Sequence, residues 1–166
     1  MAFRLREFKK ADFDTLWRID QECFDAQMAY SRPEMAFYMR RAKAFTIVAE
    51  DVDAGSNGDP EAGRAAGIIG FIVAEARQPA GHIITIDVVA EARRLGVGAA
   101  LLLAAEARLR QSGSVAVSLE TAVNNAPAIR FYKKMGYFVG KTIRGYYSNQ
   151  LDALVMEKDL GPAPGS

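Results

Sequence analysis

Two clusters in the second half of the chain have residue types and spacing suited to chemistry. The first is Arg93-Arg94-Leu95-Gly96-Val97-Gly98, between a buried apolar run and a helical stretch. Glycines let a backbone turn sharply and approach a ligand closely. The N–H groups that open the following helix then face outward at the positive end of its dipole, a site suited to phosphate oxygens. Two arginines in the same turn add charge for a pyrophosphate. The plainer role is a tight strand-to-helix turn with two solvated arginines. Two better-known phosphate loops are absent: a dinucleotide fingerprint needs a third glycine where Leu101 stands, and a P-loop ends in Gly-Lys-Ser/Thr.

The second cluster is Glu120, Asn125 and Tyr132, in the segment that runs from Leu119 through Gly136. Each has an ordinary structural use. Asn125, with Pro127 two residues on, suits a helix N-cap and first turn. Tyr132 sits at helical spacing from Ala128 and Ile129, which suits core packing. Glu120 ends a strand and reads equally as a solvated edge charge. A carboxylate and a phenol set behind a glycine turn are also the parts of an acid–base site.

At these positions the sequence resembles the GNAT superfamily of N-acetyltransferases. That family's pattern Arg/Gln-x-x-Gly-x-Gly/Ala, at the start of its third helix, is met by Arg93, Gly96 and Gly98. The second cluster is most similar to the bacterial ribosomal-protein alanine N-acetyltransferases and the protein N-terminal acetyltransferases. Their pattern, Leu-Glu-Val-Arg-x-x-Asn-x-x-Ala-x-x-Leu-Tyr-x-x-x-Gly-Phe, is met without a gap by Glu120, Asn125, Ala128, Tyr132 and Gly136. The likeness covers Ile84 to Met156. Ala122 stands where the family usually has arginine, which bears on peptide preference.

The resemblance implies acetyl-CoA as cosubstrate. Its pyrophosphate would lie on Arg93, Arg94, Leu95, Gly96, Val97, Gly98 and Ala99, and its pantetheine arm along Ile86, Asp87 and Val88, with Asn125 a further contact. The strand around Ile86 is expected to splay from its neighbour, leaving peptide groups ready to take a ligand. Glu120 is the candidate base that neutralises the attacking amine, and Asp87 is an alternative on the preceding strand. Tyr132 is the candidate donor to the departing thiolate. A phenol, with a pKa near roughly 10, gives up its proton less readily than a thiol near about 8.5, so a hydrogen bond to sulfur describes it better than full transfer. Cys23 is expected in an apolar helical stripe away from both clusters, so transfer should be direct, without an acyl-enzyme.

For the acceptor, Asp87, Glu91 and Glu120 would give a negative potential suited to a cationic amine. Tyr146 and Tyr147 match a tyrosine pair that walls the peptide groove in N-terminal acetyltransferases, with Asp25 to Tyr30 forming the opposite wall; hairpin packing is their plainer use. The acceptor implied is the N-terminal α-amine of a protein or peptide. The alternatives are a small amine (polyamine, amino acid or drug) and a binding module that holds acyl-CoA without turnover.

Positioning these clusters takes a particular order of elements. Phe3 to Phe8 alternates apolar and charged residues as a half-buried strand. Asp12 is placed to cap a helix with the stripe Phe13, Leu16, Trp17, Asp20/Gln21 and Phe24. Ser31-Arg32-Pro33-Glu34 is a capping box that announces a second helix. Strands follow at Phe45–Glu50, Gly67–Ala74 and His82–Val89, with the loop Asp51–Ala66 expected to be exposed and mobile. A helix at Ala99–Arg110, a strand at Ser114–Thr121, a helix at Ala126–Met135 stopped by Gly136, and strands at Phe138–Tyr146 and Ala153–Glu157 complete the chain. Strand, helix, strand implies a right-handed crossover joining two parallel neighbours. The fold expected is a single α/β (α+β) domain over residues 1–160 with a disordered tail at 161–166. Its sheet is mixed, mostly antiparallel and seven-stranded, with helices on both faces and a central parallel pair.

Composition is consistent with this. A net charge of +1 gives no field for nucleic acid or an anionic membrane. No apolar run is long enough to span a bilayer and no signal-peptide core opens the chain, which suits a cytoplasmic protein. With one cysteine and one histidine, no metal site is expected.

Overall fold

The computed structural model describes residues 2–53 and 67–162. Seven strands, β1 (Phe3–Glu7), β2 (Ala44–Asp51), β3 (Ile68–Glu75), β4 (Ala80–Val88), β5 (Ala116–Ala122), β6 (Phe138–Ile143) and β7 (Ala153–Asp159), form one sheet in the order β1-β2-β3-β4-β5-β7-β6. Every pairing is antiparallel except β4 with β5. The helices are α1 (Phe13–Cys23), α2 (Arg32–Met39), α3 (Val97–Gln111) and α4 (Ala126–Lys134). The mixed sheet and its parallel pair are as the element order implies. Most of the loop at Asp51–Ala66, and the tail from residue 163, lie outside the described residues.

Alternation along the central strands explains why helices cover both faces. Ile47, Ala49, Ile72 and Ala74 pack with Val97, Leu101, Leu102, Ala105 and Leu109 of α3. Their neighbours Val48, Phe71 and Val73 turn the other way, onto Leu16 and Ile19 of α1 and Met35 of α2. All eight residues of β3 are buried, so this strand is the spine of the domain. Truncating a side chain such as Leu101, which is fully buried, would cost about 2–5 kcal/mol.

Local chemistry sets the helix boundaries. Ser31 Oγ accepts from Glu34 N at 3.2 Å while Glu34 Oε1 accepts from Ser31 N at 3.3 Å, the reciprocal cap expected. Asn125 Oδ1 caps α4 by accepting from Ala128 N at 3.2 Å, and Gly136 ends that segment at φ 97°. Asp12 departs from expectation. Its side chain makes no cap for α1; it accepts from Arg6 at 2.8 and 3.0 Å and from Lys9 N at 2.8 Å. A nearly buried carboxylate gains more from a forked guanidinium than from one exposed amide. The strand expected at Phe138–Tyr146 stops at Ile143, because Gly145 takes φ 60° and turns the chain.

Candidate active site

The site begins where β4 and β5 part. The two strands pair in parallel only at Ala80↔Ala116, Gly81↔Val117 and His82↔Ser118. Beyond His82, β4 stays bonded to β3 while its other edge faces a gap. A cleft of about 620 Å³ opens there, lined by Ile83 to Ile86 on one side and Leu119 to Ala122 on the other. Glu120, Asn125, Tyr132, Tyr30, Tyr146, Tyr147 and Ile86 all line this one cleft.

Glu120 is not a free edge charge. His82 Nε2 lies 2.7 Å from its Oε2. The other ring nitrogen, Nδ1, is buried with no partner. A proton on Nδ1 would be stranded without an acceptor, so the ring proton belongs on Nε2 and is donated to Glu120. His82 therefore orients the carboxylate, and Glu120 Oε1 has no partner among the described residues. Sequence reasoning considered His82 only as a metal ligand and missed this contact. The signal was the β4–β5 parallel pairing, which sets the starts of the two strands side by side and puts His82 opposite Ser118, two residues before Glu120.

Tyr132, 8% exposed, approaches from α4. Its ring packs edge-on against Tyr137 at 5.8 Å, and Tyr137 is anchored through its hydroxyl to the buried Glu106 at 2.8 Å. The Tyr132 hydroxyl bonds to no described residue. Burial pushes this phenol well above its ordinary pKa, so it stays protonated and available as a donor.

Two loops wall the cleft. Tyr30 is fastened by α1: Asp20 Oδ2 accepts from its N–H at 2.8 Å, and its carbonyl accepts from Trp17 Nε1 and Gln21 Nε2 at 3.1 and 2.7 Å. Its hydroxyl reaches the carbonyl of Ile84 at 3.4 Å. Opposite, Tyr146 and Tyr147 pack edge-to-face at 4.9 Å in the loop between β6 and β7. The walls meet, since Ser148 Oγ donates to the carbonyl of Gln27.

The glycine turn lies at the outer end of β4. Arg93, Arg94, Leu95 and Gly96 are exposed and Val97 is buried. Arg94 and Gly96 both take left-handed backbone, at φ 69° and 85°. Gly96 precedes α3 without any side-chain cap, so the first amides of the helix, through Gly98 and Ala99, are left for another acceptor. A Cβ on Gly98 would sit 3.4 Å from the Phe131 ring. Arg93 Nε donates to Val88 O at 3.0 Å, so that carbonyl is already engaged.

Two acidic residues and the cysteine differ from expectation. Asp87, 1% exposed, lines no part of the cleft; it turns toward α1, where Asp87 Oδ2 and Asp20 Oδ1 are both buried and short of a partner. Burial first, then the charge of Asp20, hold Asp87 well above the usual carboxylate range, and the proton it keeps satisfies both orphan oxygens. Thr85 Oγ1 donates to its other oxygen at 2.7 Å. Glu91 is exposed in a short 3₁₀ turn and also lies off the cleft. Cys23 is not remote from the first cluster: its sulfur is 3.5 Å from Val88 O and 3.7 Å from Arg93. Burial and Asp87 push its thiol up to about 11, away from nucleophilic use.

The sequence profile of the Acetyltransferase (GNAT) family matches residues 13–137. The chain belongs to that family. An N-alpha-acetyltransferase of Sulfurisphaera tokodaii is 41% identical over 81 residues, a match spanning 48% of this chain and 48% of that relative, about half of each. An uncharacterized N-acetyltransferase of Methanocaldococcus jannaschii is 30% identical over 97% of this chain and 94% of its own length. Among solved structures, Ard1 from Thermoplasma volcanium matches this GNAT domain with a TM-score of 0.79 at 26% identity, covering 96% of this chain and 98% of that one. Among the described residues, no helix is long and apolar enough to cross a membrane.

Proposed function

We propose that this GNAT protein transfers an acetyl group from acetyl-CoA directly to the N-terminal α-amine of a protein or peptide. The observation that carries the reading is the single bridged cleft in which Glu120 and Tyr132 stand between two loop walls joined by Ser148 and Gln27. The similarity to an N-alpha-acetyltransferase over half the chain supports it.

Acetyl-CoA supplies a thioester-activated acetyl group. The residues present fit it: the uncapped start of α3 and the arginines beside it suit a pyrophosphate, and the open edge of β4 around Ile86 offers peptide groups to an amide-bearing arm. Asn125, at the head of α4, adds a polar contact inside the cleft. Glu120, held by His82, accepts a proton from the incoming ammonium directly or through water. Tyr132 donates a hydrogen bond to the leaving sulfur, its own proton retained by burial. Asp87 is unsuited to act as base, being protonated and turned to the opposite face.

An α-amine is the acceptor this equipment suits. Deprotonating a lysine side chain, with a pKa near about 10.4, costs about 3.5 kcal/mol more than deprotonating an α-amine near roughly 7.8. The bridge over the cleft also favours a chain end over a chain interior. The reading is tested on a peptide with a free N-terminus and an internal lysine, locating the acetyl group by mass spectrometry. Acetyl mainly on the lysine, or only on free small amines, would overturn it.

A further inference from the structure

We infer that the acceptor cleft sorts peptides by charge, favouring lysine or arginine just behind the reacting amine over aspartate or glutamate, and that Glu34 sets this preference. The inference rests on the proposed peptide-N-terminus reading of the cleft.

Among the described residues, two carboxylates, Glu34 and Glu120, line the cleft, and no lysine or arginine does. Glu120 is committed to the amine. Glu34 stands on the α2 wall, and the capping box fixes where its carboxylate can be. Oε1 is held by Ser31 N, while Oε2 has no partner among the described residues. A motif that reads in the sequence as a helix start thus also sets an exposed carboxylate at the rim of the site.

Two cations close to Glu34 in the sequence, Arg32 and Arg41, are already engaged elsewhere. Arg32 is bound to Asp14 and stacked 5.0 Å over Trp17 and 5.5 Å over Phe13. Arg41 is bound to Glu75 and lies 5.8 Å over Phe37. Beside Glu34, Tyr38 packs against Tyr30 at 5.3 Å, giving two aromatic faces next to a carboxylate. That combination attracts a guanidinium or ammonium through both charge and ring quadrupole. Tyr146 lines the same cleft as Glu120 and Tyr38, so the reacting end and the α2 wall belong to one continuous surface. An acidic side chain there would face Glu34 with nothing to pair with, and like charges repel across such a surface.

The experiment uses the full chain, acetyl-CoA and peptides identical except for lysine, alanine or glutamate at their second and third positions. Lysine should exceed glutamate in kcat/KM by about tenfold, mostly through KM, and added salt should shrink the ratio. Glu34→Gln retains a cap acceptor for Ser31 N and should reduce the lysine-to-glutamate ratio to about twofold or less. Equal rates for the two peptides, or a preference for glutamate, overturn the inference while leaving the N-terminal reading intact. A lysine preference undiminished in Glu34→Gln overturns the role of Glu34. Acetylation of small amines with no peptide accepted removes the N-terminal reading and this inference with it.

Discussion

His82 Nε2 and Glu120 Oε2 meet at 2.7 Å at the point where β4 and β5 separate. His82 is the last residue of β4 in register with β5, opposite Ser118, and Glu120 lies two residues farther along β5 on the same face. The hydrogen bond ties the open part of the gap to its closed end. It fixes a carboxylate that would otherwise rotate freely at a strand terminus, and leaves one oxygen for the substrate.

Glu120→Gln should lower turnover by about 10²–10⁴-fold, the range for loss of a general base, with acetyl-CoA affinity little changed. Raising the pH should restore part of the rate, because more of the amine is then already neutral. His82→Ala should cost less, about tenfold in kcat, and His82→Asn should recover some of it by offering a replacement donor. Steady-state kinetics on one peptide checks both. Turnover near that of the parent in Glu120→Gln at neutral pH would transfer the base role to bulk water.

Tyr132→Phe keeps the packing against Tyr137 and removes only the hydroxyl, which bonds to no described residue. Melting temperature should therefore hold while kcat falls by about 10²-fold or more. A variant that loses stability and activity together would make Tyr132 a packing residue instead.

The two motif glycines should fail for different physical reasons. Gly96 has open space where a Cβ would go, yet its φ of 85° strains any β-branched replacement, so Gly96→Val distorts the turn. Gly98 has ordinary backbone, and a larger side chain there would press on Phe131. Acetyl-CoA at a hundredfold excess over its dissociation constant should stabilise the parent protein by about 2.7 kcal/mol. Both variants should lose most of that gain. A parent whose melting ignores saturating acetyl-CoA would refute the cosubstrate.

What could be read from the sequence divides by the range of the interaction. The α3 stripe through Leu101, Leu102, Ala105 and Leu109 and the caps at Ser31 and Asn125 depend on periodicity or spacing within a few residues, while the parallel β4–β5 pair follows from the order strand, helix, strand. The grouping of Glu120, Asn125 and Tyr132 rests on their gapless match to a family motif. The His82–Glu120 contact depends on the register of two strands 38 residues apart, which local pattern does not encode. The Ser148–Gln27 bridge joins loops 121 residues apart and was equally hidden. Asp12 and Cys23 were misplaced for the same reason: Arg6 and Val88, their partners, come from other elements. Asp87 looked like an available acid because alternation alone did not show that Asp20 would meet it across the α1 face.

That buried pair yields a prediction about stability. The folded protein holds Asp87 protonated, whereas the unfolded chain ionises it near its usual value of about 3.9. Its raised folded-state pKa means the contribution is intact below that value and is lost as pH rises toward the folded-state pKa. Asp87→Asn does not titrate, yet its amide can still donate to Asp20 and accept from Thr85. The variant should therefore gain on the parent as pH rises from 4 to 8. Asp20 interacts directly with residue 87, so the difference reads the titration of the pair. Urea midpoints across that pH series provide the measurement. A gap that stays constant with pH would mean that Asp87 is ionised in the fold, and the two orphan oxygens would then need a different proton source.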